Sequence, residues 1–341
     1  MSSSEHQTHD PWLRTANPAP SILDHIGQTP TLELPRLAAW AGVSHARLFL
    51  KLESLNPGGS TKDRLALALL DGARAQGLQP GGIVVEATSG NTGIALAQAC
   101  AVQGYELHIV ASEKVSEEKV RIVQAFGATV HRVPLVPHGH PQHYMEVAPR
   151  LAKQLGGIYL DQFGCAGNTA AHAAHTAPEL LDSVRSQAGR LDVLIAGVGT
   201  GGTISGFRRH LGEASPTTEL ILADPEGSIL AGGAKPSAYK VEGIGDDAIP
   251  PLYDIKPDGA QTIPDREAFE VALAAARTEG ILIGGSAGAH LAAAIRIARE
   301  RPAGTVLATI APDTGRNYLS TFFDPTWCDA NGFTGLHEVT A

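Results

Sequence analysis

The feature that most limits how this chain can fold is an alternation of two hydrophobic periods. Short β-branched runs at "RLFLKLE" (47–53), "GIVVEAT" (82–88), "ELHIVAS" (106–112) and "GATVHRV" (127–133) read as strands. Between them, "TKDRLALALLDGARAQG" (61–77), "NTGIALAQACAVQG" (91–104) and "SEEKVRIVQAFG" (116–127) carry apolar residues at helical spacing. A second series follows, with "DVLIAG", "ELILAD", "ILIGG" and "TVLATIAP" as strands and "AFEVALAAARTEG" and "SAGAHLAAAIRIARE" as helices. Strand–helix alternation predicts an α/β architecture of mainly parallel sheets flanked by helices. No internal repeat or low-complexity linker interrupts it, so chain crossings are expected to stitch the lobes together.

A length of 341 residues predicts two domains or two lobes. The formal net charge of −9 provides no basic face, which argues against nucleic acid and anionic membranes as partners. No apolar run is long enough to span a bilayer. The opening "MSSSEHQTHD" lacks the basic start and apolar centre of a secretory signal and reads as a frayed tail. Cys100, Cys165 and Cys328 are odd in number and widely spaced, which fits a reducing, cytoplasmic compartment better than a disulfide framework. His138, His140 and His143 lie among prolines and glycine, and read as a solvated loop rather than a metal site.

Chemistry concentrates at the turns. "NPGGSTKDR" ends a glycine-rich loop in Lys62, but Asp63 follows where a nucleotide-binding P-loop needs Ser or Thr. "DVLIAGVGTGGTISG" (192–206) runs strand, glycine loop, helix. Gly197, Gly199 and Gly202 satisfy G-x-G-x-x-G, with Asp224 roughly twenty residues on in the place of a ribose acid. The fingerprint leaves a nicotinamide-dependent oxidoreductase open, although backbone N–H groups at a helix start serve any phosphorylated cofactor. "EATSGNTGIALA" (86–97) offers hydroxyls, an amide and free N–H groups, a receptor for a carboxylate. "EGILIGGSAGAHLAAA" (279–294) places Ser286 at another strand-to-helix turn. Taken singly, Asn91 and Ser286 read as helix caps and Lys62 as a solvated lysine. Together they supply a lysine, a phosphate receptor, a carboxylate receptor and a loop serine, the set that pyridoxal phosphate uses.

Seven motifs, "NPGGSTKDR", "TSGNTG", "GVGTGGTISG", "ADPEGS", "VEGIG", "GGSAG" and "PDTGRNYLS", stand in one order across roughly residues 20 to 325. The chain thereby resembles the fold-type II pyridoxal-phosphate enzymes of the cysteine synthase and cystathionine β-synthase family, a tryptophan synthase β-like fold. The resemblance is nearest to the cystathionine β-synthase catalytic core. It implies that Lys62 binds the cofactor covalently, that Asn91 meets the ring hydroxyl, and that Gly199, Thr200, Gly201, Gly202 and Thr203 hold the phosphate. Ser286 falls at the pyridine nitrogen. Thr88, Ser89, Thr92 and Gln162 fall at the substrate carboxylate, and Glu242 and Asp246 line the substrate side.

A neutral serine at the ring nitrogen makes a weaker electron sink than a carboxylate would, which favours expulsion of a β-substituent over transamination. The implied reaction is β-replacement on L-serine or an O-activated L-serine by a thiol, through an aminoacrylate. Lys62 takes the α-proton. The cystathionine β-synthase branch joins serine to homocysteine; the alternatives are a cysteine synthase, using O-acetylserine or O-phosphoserine with sulfide, and a related specialised synthase. The implied lobes are residues 50–165 and residues 20–49 with 166–325, flanked by tails at 1–19 and 326–341. A homodimer acting on small amino-acid substrates is expected.

Some positions depart from the family. Asp246 stands where eukaryotic members often have tyrosine. "NTAAHAAHTAPE" carries Ala173, His175 and Ala177 in place of tyrosine, threonine and glycine; these changes are expected near the entrance or an interface. No cysteine precedes Cys100, so a thiolate haem ligand is not expected. Tandem regulatory domains after "PDTGRNYLSTFFDPTW" are not expected either.

Overall fold

The computed structural model describes residues 20–233 and 235–338; the 1–19 stretch and residues 339–341 lie outside it. The strands are β1 (Thr31–Glu33), β2 (Arg47–Leu52), β3 (Ile83–Ala87), β4 (Glu106–Ser112) and β5 (Thr129–Val133). They continue with β6 (Ile158–Tyr159), β7 (Val193–Ala196), β8 (Glu219–Pro225), β9 (Gly259–Ile263) and β10 (Val306–Ala311). The helices are α1 (Pro35–Trp40), α2 (Lys62–Ala75), α3 (Asn91–Gln103), α4 (Glu117–Ala125), α5 (Tyr144–Leu155) and α6 (Ala166–Ala171). After them come α7 (Ala177–Ala188), α8 (Gly202–Ala214), α9 (Asp265–Glu279), α10 (Gly285–Glu300) and α11 (Pro325–Ala330).

Two sheets result. The larger has the order β1-β2-β10-β7-β8-β9, parallel except where β1 runs against β2. The smaller, β5-β4-β3-β6, is parallel throughout. Parallel strands need apolar cover on both faces, and each sheet has it. One face of the large sheet packs Leu50, Ile195 and Leu307 against Phe269, Ala272 and Leu291 of α9 and α10. The other packs Phe49, Leu194 and Ile310 against Leu180 and Phe207 of α7 and α8. In the small sheet, Val84, Leu107 and Ile109 meet α2 and α3, while Val85 and Val110 meet Ala148 and Ala152 of α5.

Two expectations change. "ILIGG" forms no strand: Ile283 makes only an isolated bridge to Thr314, and its buried side chain joins the core without a sheet partner. Residues 326–338, read as a tail, are anchored on the core beside the large sheet by four side chains. Cys328 and Leu336 are buried, and Trp327 and Phe333 stack beside Phe269 with ring centroids 5.8 Å apart. Aromatic burial fixes a segment whose sequence has little periodicity.

Candidate active site

The site lies where the carboxyl ends of β3, β7 and β10 converge, the usual position for a ligand on parallel sheets. A cavity of about 400 Å³ opens there. It is lined by Lys62, Thr88, Ser89, Asn91, Thr92, Gln162, Gly199, Thr200, Glu242, Asp246 and Ser286. An adjoining recess of about 30 Å³ adds Gly201 and Thr203. Of the residues that the resemblance placed at the cofactor and substrate, Gly202 alone lines neither space. It opens α8 against Asn168, whose side chain occupies the room a Cβ would need.

Lys62 is the first residue of α2, and the loop before it is pinned to the end of β10. Thr61 N donates to Pro312 O at 2.7 Å, and Ser60 bridges Asp313. Two residues on, the buried Arg64 guanidinium donates to Glu53 at 2.7 and 2.9 Å and to Glu179 at 2.8 and 2.6 Å. Lys51 Nζ completes the network at 2.8 Å from Glu179. Despite its own burial, Glu53 is held down to about 2 by Arg64 and Lys51. These pairs fix the first turn of α2 from behind. The Lys62 side chain itself makes no hydrogen bond or ion pair among the described residues. Burial pushes its amine below the ordinary lysine range, and the charge of Asp313 pulls it partly back.

The glycine loop is a bare-backbone cradle. A Cβ at Gly199 would meet Gly243 O at 2.5 Å, and one at Gly201, where φ is +92°, would meet Tyr253 N at 2.5 Å. Behind the loop, Asn168 Nδ2 donates to Thr200 Oγ1 at 2.9 Å, and His172 Nε2 lies 3.1 Å from Thr203 Oγ1. The His172 ring is neutral: burial, with the charges of Arg64 and Lys62, lowers it to about 3. His172–Thr176 is a π-helical turn between α6 and α7, close enough to α8 that a Cβ at Gly206 would strike His172 Cβ at 2.6 Å. The departures at Ala173, His175 and Ala177 lie in or beside this turn, and none of them lines the cavity.

The expected carboxylate receptor is also built as a turn. Thr88 Oγ1 accepts from Gly90 N at 3.1 Å, and Thr92 Oγ1 donates to Gln162 Oε1 at 2.7 Å. Gln162 Nε2 in turn donates to Ala87 O at 3.0 Å. Beneath the turn, Glu86 is wholly buried. Its Oε1 accepts from Ala87 N at 2.9 Å while Oε2 has no partner, and burial raises its carboxyl to about 8.

Asn91 and Ser286 do not act as helix caps. Gly90 and Gly284 hold those positions, and neither makes a side-chain cap. Both named side chains line the cavity. Asp224 does not act as a ribose acid. It is buried, and its Oδ2 accepts from Ala231 N at 2.8 Å, closing the loop after β8. At the outer end Lys119 Nζ pairs with Glu242 at 3.1 Å, and Asp246 lines the wall beside Tyr144 and Tyr239. Motif reading gave no role to Asn168, His172, Asp313 or the Lys51–Glu53–Arg64–Glu179 network, although "NTAAHAAHTAPE" holds Asn168, His172 and Glu179, "NPGGSTKDR" holds Arg64 and "PDTGRNYLS" holds Asp313.

A half-buried lysine whose amine has no ion pair among the described residues, a glycine cradle flanked by hydroxyls, and a neutral serine across the cavity fit pyridoxal phosphate. The comparisons agree. Residues 22–313 match the family model described as "Pyridoxal-phosphate dependent enzyme". Cystathionine beta-synthase of Apis mellifera is 42% identical over 322 residues, 92% of this chain and 63% of that protein, so the chain spans less than two thirds of that relative. A solved O-ureido-L-serine synthase is similar with a TM-score of 0.82 and 36% identity, covering 89% of this chain and 94% of the other. An O-acetylserine dependent cystathionine beta-synthase from Helicobacter pylori is similar with a TM-score of 0.78 and 35% identity, covering 89% and 98%. This membership displaces the nicotinamide reading of the Gly197 fingerprint: the chain belongs to the family of pyridoxal-phosphate dependent enzymes.

Proposed function

We propose that this enzyme replaces the β-substituent of L-serine or an O-activated L-serine with a thiol, as a cystathionine β-synthase joining serine and homocysteine. The observation that carries the reading is the placement of Lys62, Asn91, Thr200 and Ser286 around one cavity, with the Thr88–Thr92 turn beside them. Pyridoxal phosphate, when bound, supplies an aldehyde for the substrate amine and a ring that draws electrons from Cα. Lys62 anchors it, Gly199–Thr203 hold its phosphate, and Asn91 and Ser286 face its ring.

In this reading Thr88, Ser89, Thr92 and Gln162 bind the substrate carboxylate and orient Cα toward Lys62. Lys62 Nζ, with its lowered basicity, takes the α-proton. Asp246 holds a proton for the departing oxygen; burial, reinforced by Asp247, raises its carboxyl. Residues 50–165 form the smaller lobe, which closes on the carboxylate over the larger lobe of 20–49 and 166–325. The family resemblance supports a homodimer, and three free cysteines support a reducing, cytoplasmic setting. No helix among the described residues is long and apolar enough to cross a membrane.

The O-acetylserine-using and O-ureidoserine-forming relatives favour a second reading, in which the β-substituent is activated or the nucleophile is not homocysteine. Assaying serine, O-acetylserine and O-phosphoserine, each against sulfide and homocysteine, separates the two. Fastest turnover of serine with homocysteine is expected. Failure of every pair sinks the first reading and points to a specialised substrate.

A further inference from the structure

Asp313 stands two residues past the end of β10 and lines the cavity, yet it is only 2% exposed. One oxygen, Oδ2, accepts from Asn91 Nδ2 at 2.8 Å and from Tyr318 OH at 2.7 Å. The other, Oδ1, is buried without a partner. It abuts the start of α10, since a Cβ at Gly284, two residues before Ser286, would collide with it. The backbone is held as firmly: Pro312 O accepts from Thr61 N, and Asp313 bridges Ser60, both next to Lys62.

Two cations and two further titratable groups surround this carboxylate. From α4, Lys119 is paired with Glu242 at 3.1 Å and lies over the Tyr318 ring, 5.9 Å from its centroid. From α2, Lys62 has no ion-pair partner of its own among the described residues. Tyr318 is the hydrogen-bond donor already named, and the charge of Glu242 reaches it from beyond. The Lys119 charge is therefore largely answered by Glu242, while that of Lys62 is not.

We propose that Asp313 is a positioning residue with two tasks: it supplies the counter-charge that governs the proton on Lys62 Nζ, and it fixes the amide of Asn91. The second task follows from the donors. Asn91 Oδ1 accepts from Asn317 Nδ2 at 3.2 Å and its Nδ2 donates to Asp313, so the remaining N–H is what Asn91 offers a cofactor ring. The first follows from electrostatics. An opposite charge nearby in a water-poor cavity favours the ammonium, and removing it leaves burial to favour the neutral amine. Mutual influence runs both ways: the Tyr318 and Asn91 hydrogen bonds, then the charges of Lys119 and Lys62, ease the burial-raised carboxyl of Asp313 downward. The proposal rests on the reading of Lys62 as the cofactor-binding amine.

The test is the rate at which the full-length, cofactor-free chain takes up pyridoxal phosphate from pH 6 to 10. Uptake is followed by visible absorbance, and attachment at Lys62 is confirmed by borohydride reduction and peptide mass spectrometry. Asp313→Asn keeps an oxygen for Asn91 and Tyr318 but removes the charge. Its acid limb is expected to move down by about one pH unit, so that uptake on that limb is about tenfold faster. Tyr318→Phe removes a hydrogen bond that stabilises the carboxylate, and is expected to shift the limb the same way by less. An unchanged limb in a folded Asp313→Asn protein overturns the proposal. If that variant does not fold, an unchanged limb in Tyr318→Phe does so. Absence of any adduct at Lys62 in the unsubstituted chain overturns the Lys62 reading as well, which distinguishes the two failures.

Discussion

The side-chain amide of Asn168 donates to Thr200 Oγ1 at 2.9 Å and, from the same nitrogen, to Gln162 O at 3.0 Å. One buried residue thus ties the phosphate cradle to the loop proposed to hold the substrate carboxylate. Asn168→Ala removes both bonds at a cost of roughly 1–3 kcal/mol, because the groups it leaves are buried. Pyridoxal phosphate affinity is expected to fall by about 5- to 100-fold, measured by fluorescence titration of the cofactor-free chain. Affinity within twofold of the unsubstituted protein would contradict the coupling.

Lys62→Ala is expected to abolish the visible band of the bound cofactor and to lower turnover by about 10²–10⁴-fold or more, the range for loss of a positioned acid–base group. Absorbance and steady-state rate are measured on the same preparation. A variant with full activity would refute the assignment.

Asp246→Asn tests whether this wall group delivers a proton. Hydroxide leaves poorly without one, whereas acetate leaves readily, so kcat with serine is expected to fall about tenfold more than kcat with O-acetylserine. Equal losses with both donors would assign Asp246 to binding or to shape.

Glu86 gives the fold a specific pH dependence. Burial raises its carboxyl to about 8 in the folded protein, above the ordinary 4.5, so the folded state binds the extra proton. That contribution is fully present below the unfolded value and is lost as pH rises towards 8. Glu86→Gln keeps an oxygen for Ala87 N and removes the titration. Between pH 5 and 8.5 the unsubstituted chain is therefore expected to lose on the order of 3 kcal/mol relative to the variant. Paired denaturant titrations at both pH values measure the difference, and parallel curves would exclude it.

The alternation of periods marked most strands and helices because both sheets are parallel and covered on both faces. Val84, Ile109 and Leu194 sit in continuous apolar runs for that reason. Lys62, Asn91 and Ser286 stood out because each opens a helix after a loop rich in small residues. Asn168, His172 and Asp313 did not: their partners, Thr200, Thr203 and Asn91, lie at sequence separations that no local period encodes. The same holds for Arg64 and Glu179, joined across 115 residues. Ile283 misled because an apolar run bounded by glycine resembles a strand whether or not a neighbouring strand is there to receive it.

The position of β10 has a consequence for the order in which the protein can assemble. It lies between β2 and β7, and those strands do not pair with each other. A nascent chain that has emerged only as far as α10 holds the β1–β2 hairpin and the β7–β8–β9 ribbon as unjoined pieces. Val306–Ala311 then enters as a keystone, bringing Pro312 and Asp313 to the loop before Lys62. Closure of the large sheet therefore waits until Val306–Ala311 has been made, and the cavity wall that Pro312 and Asp313 complete forms only after that strand enters.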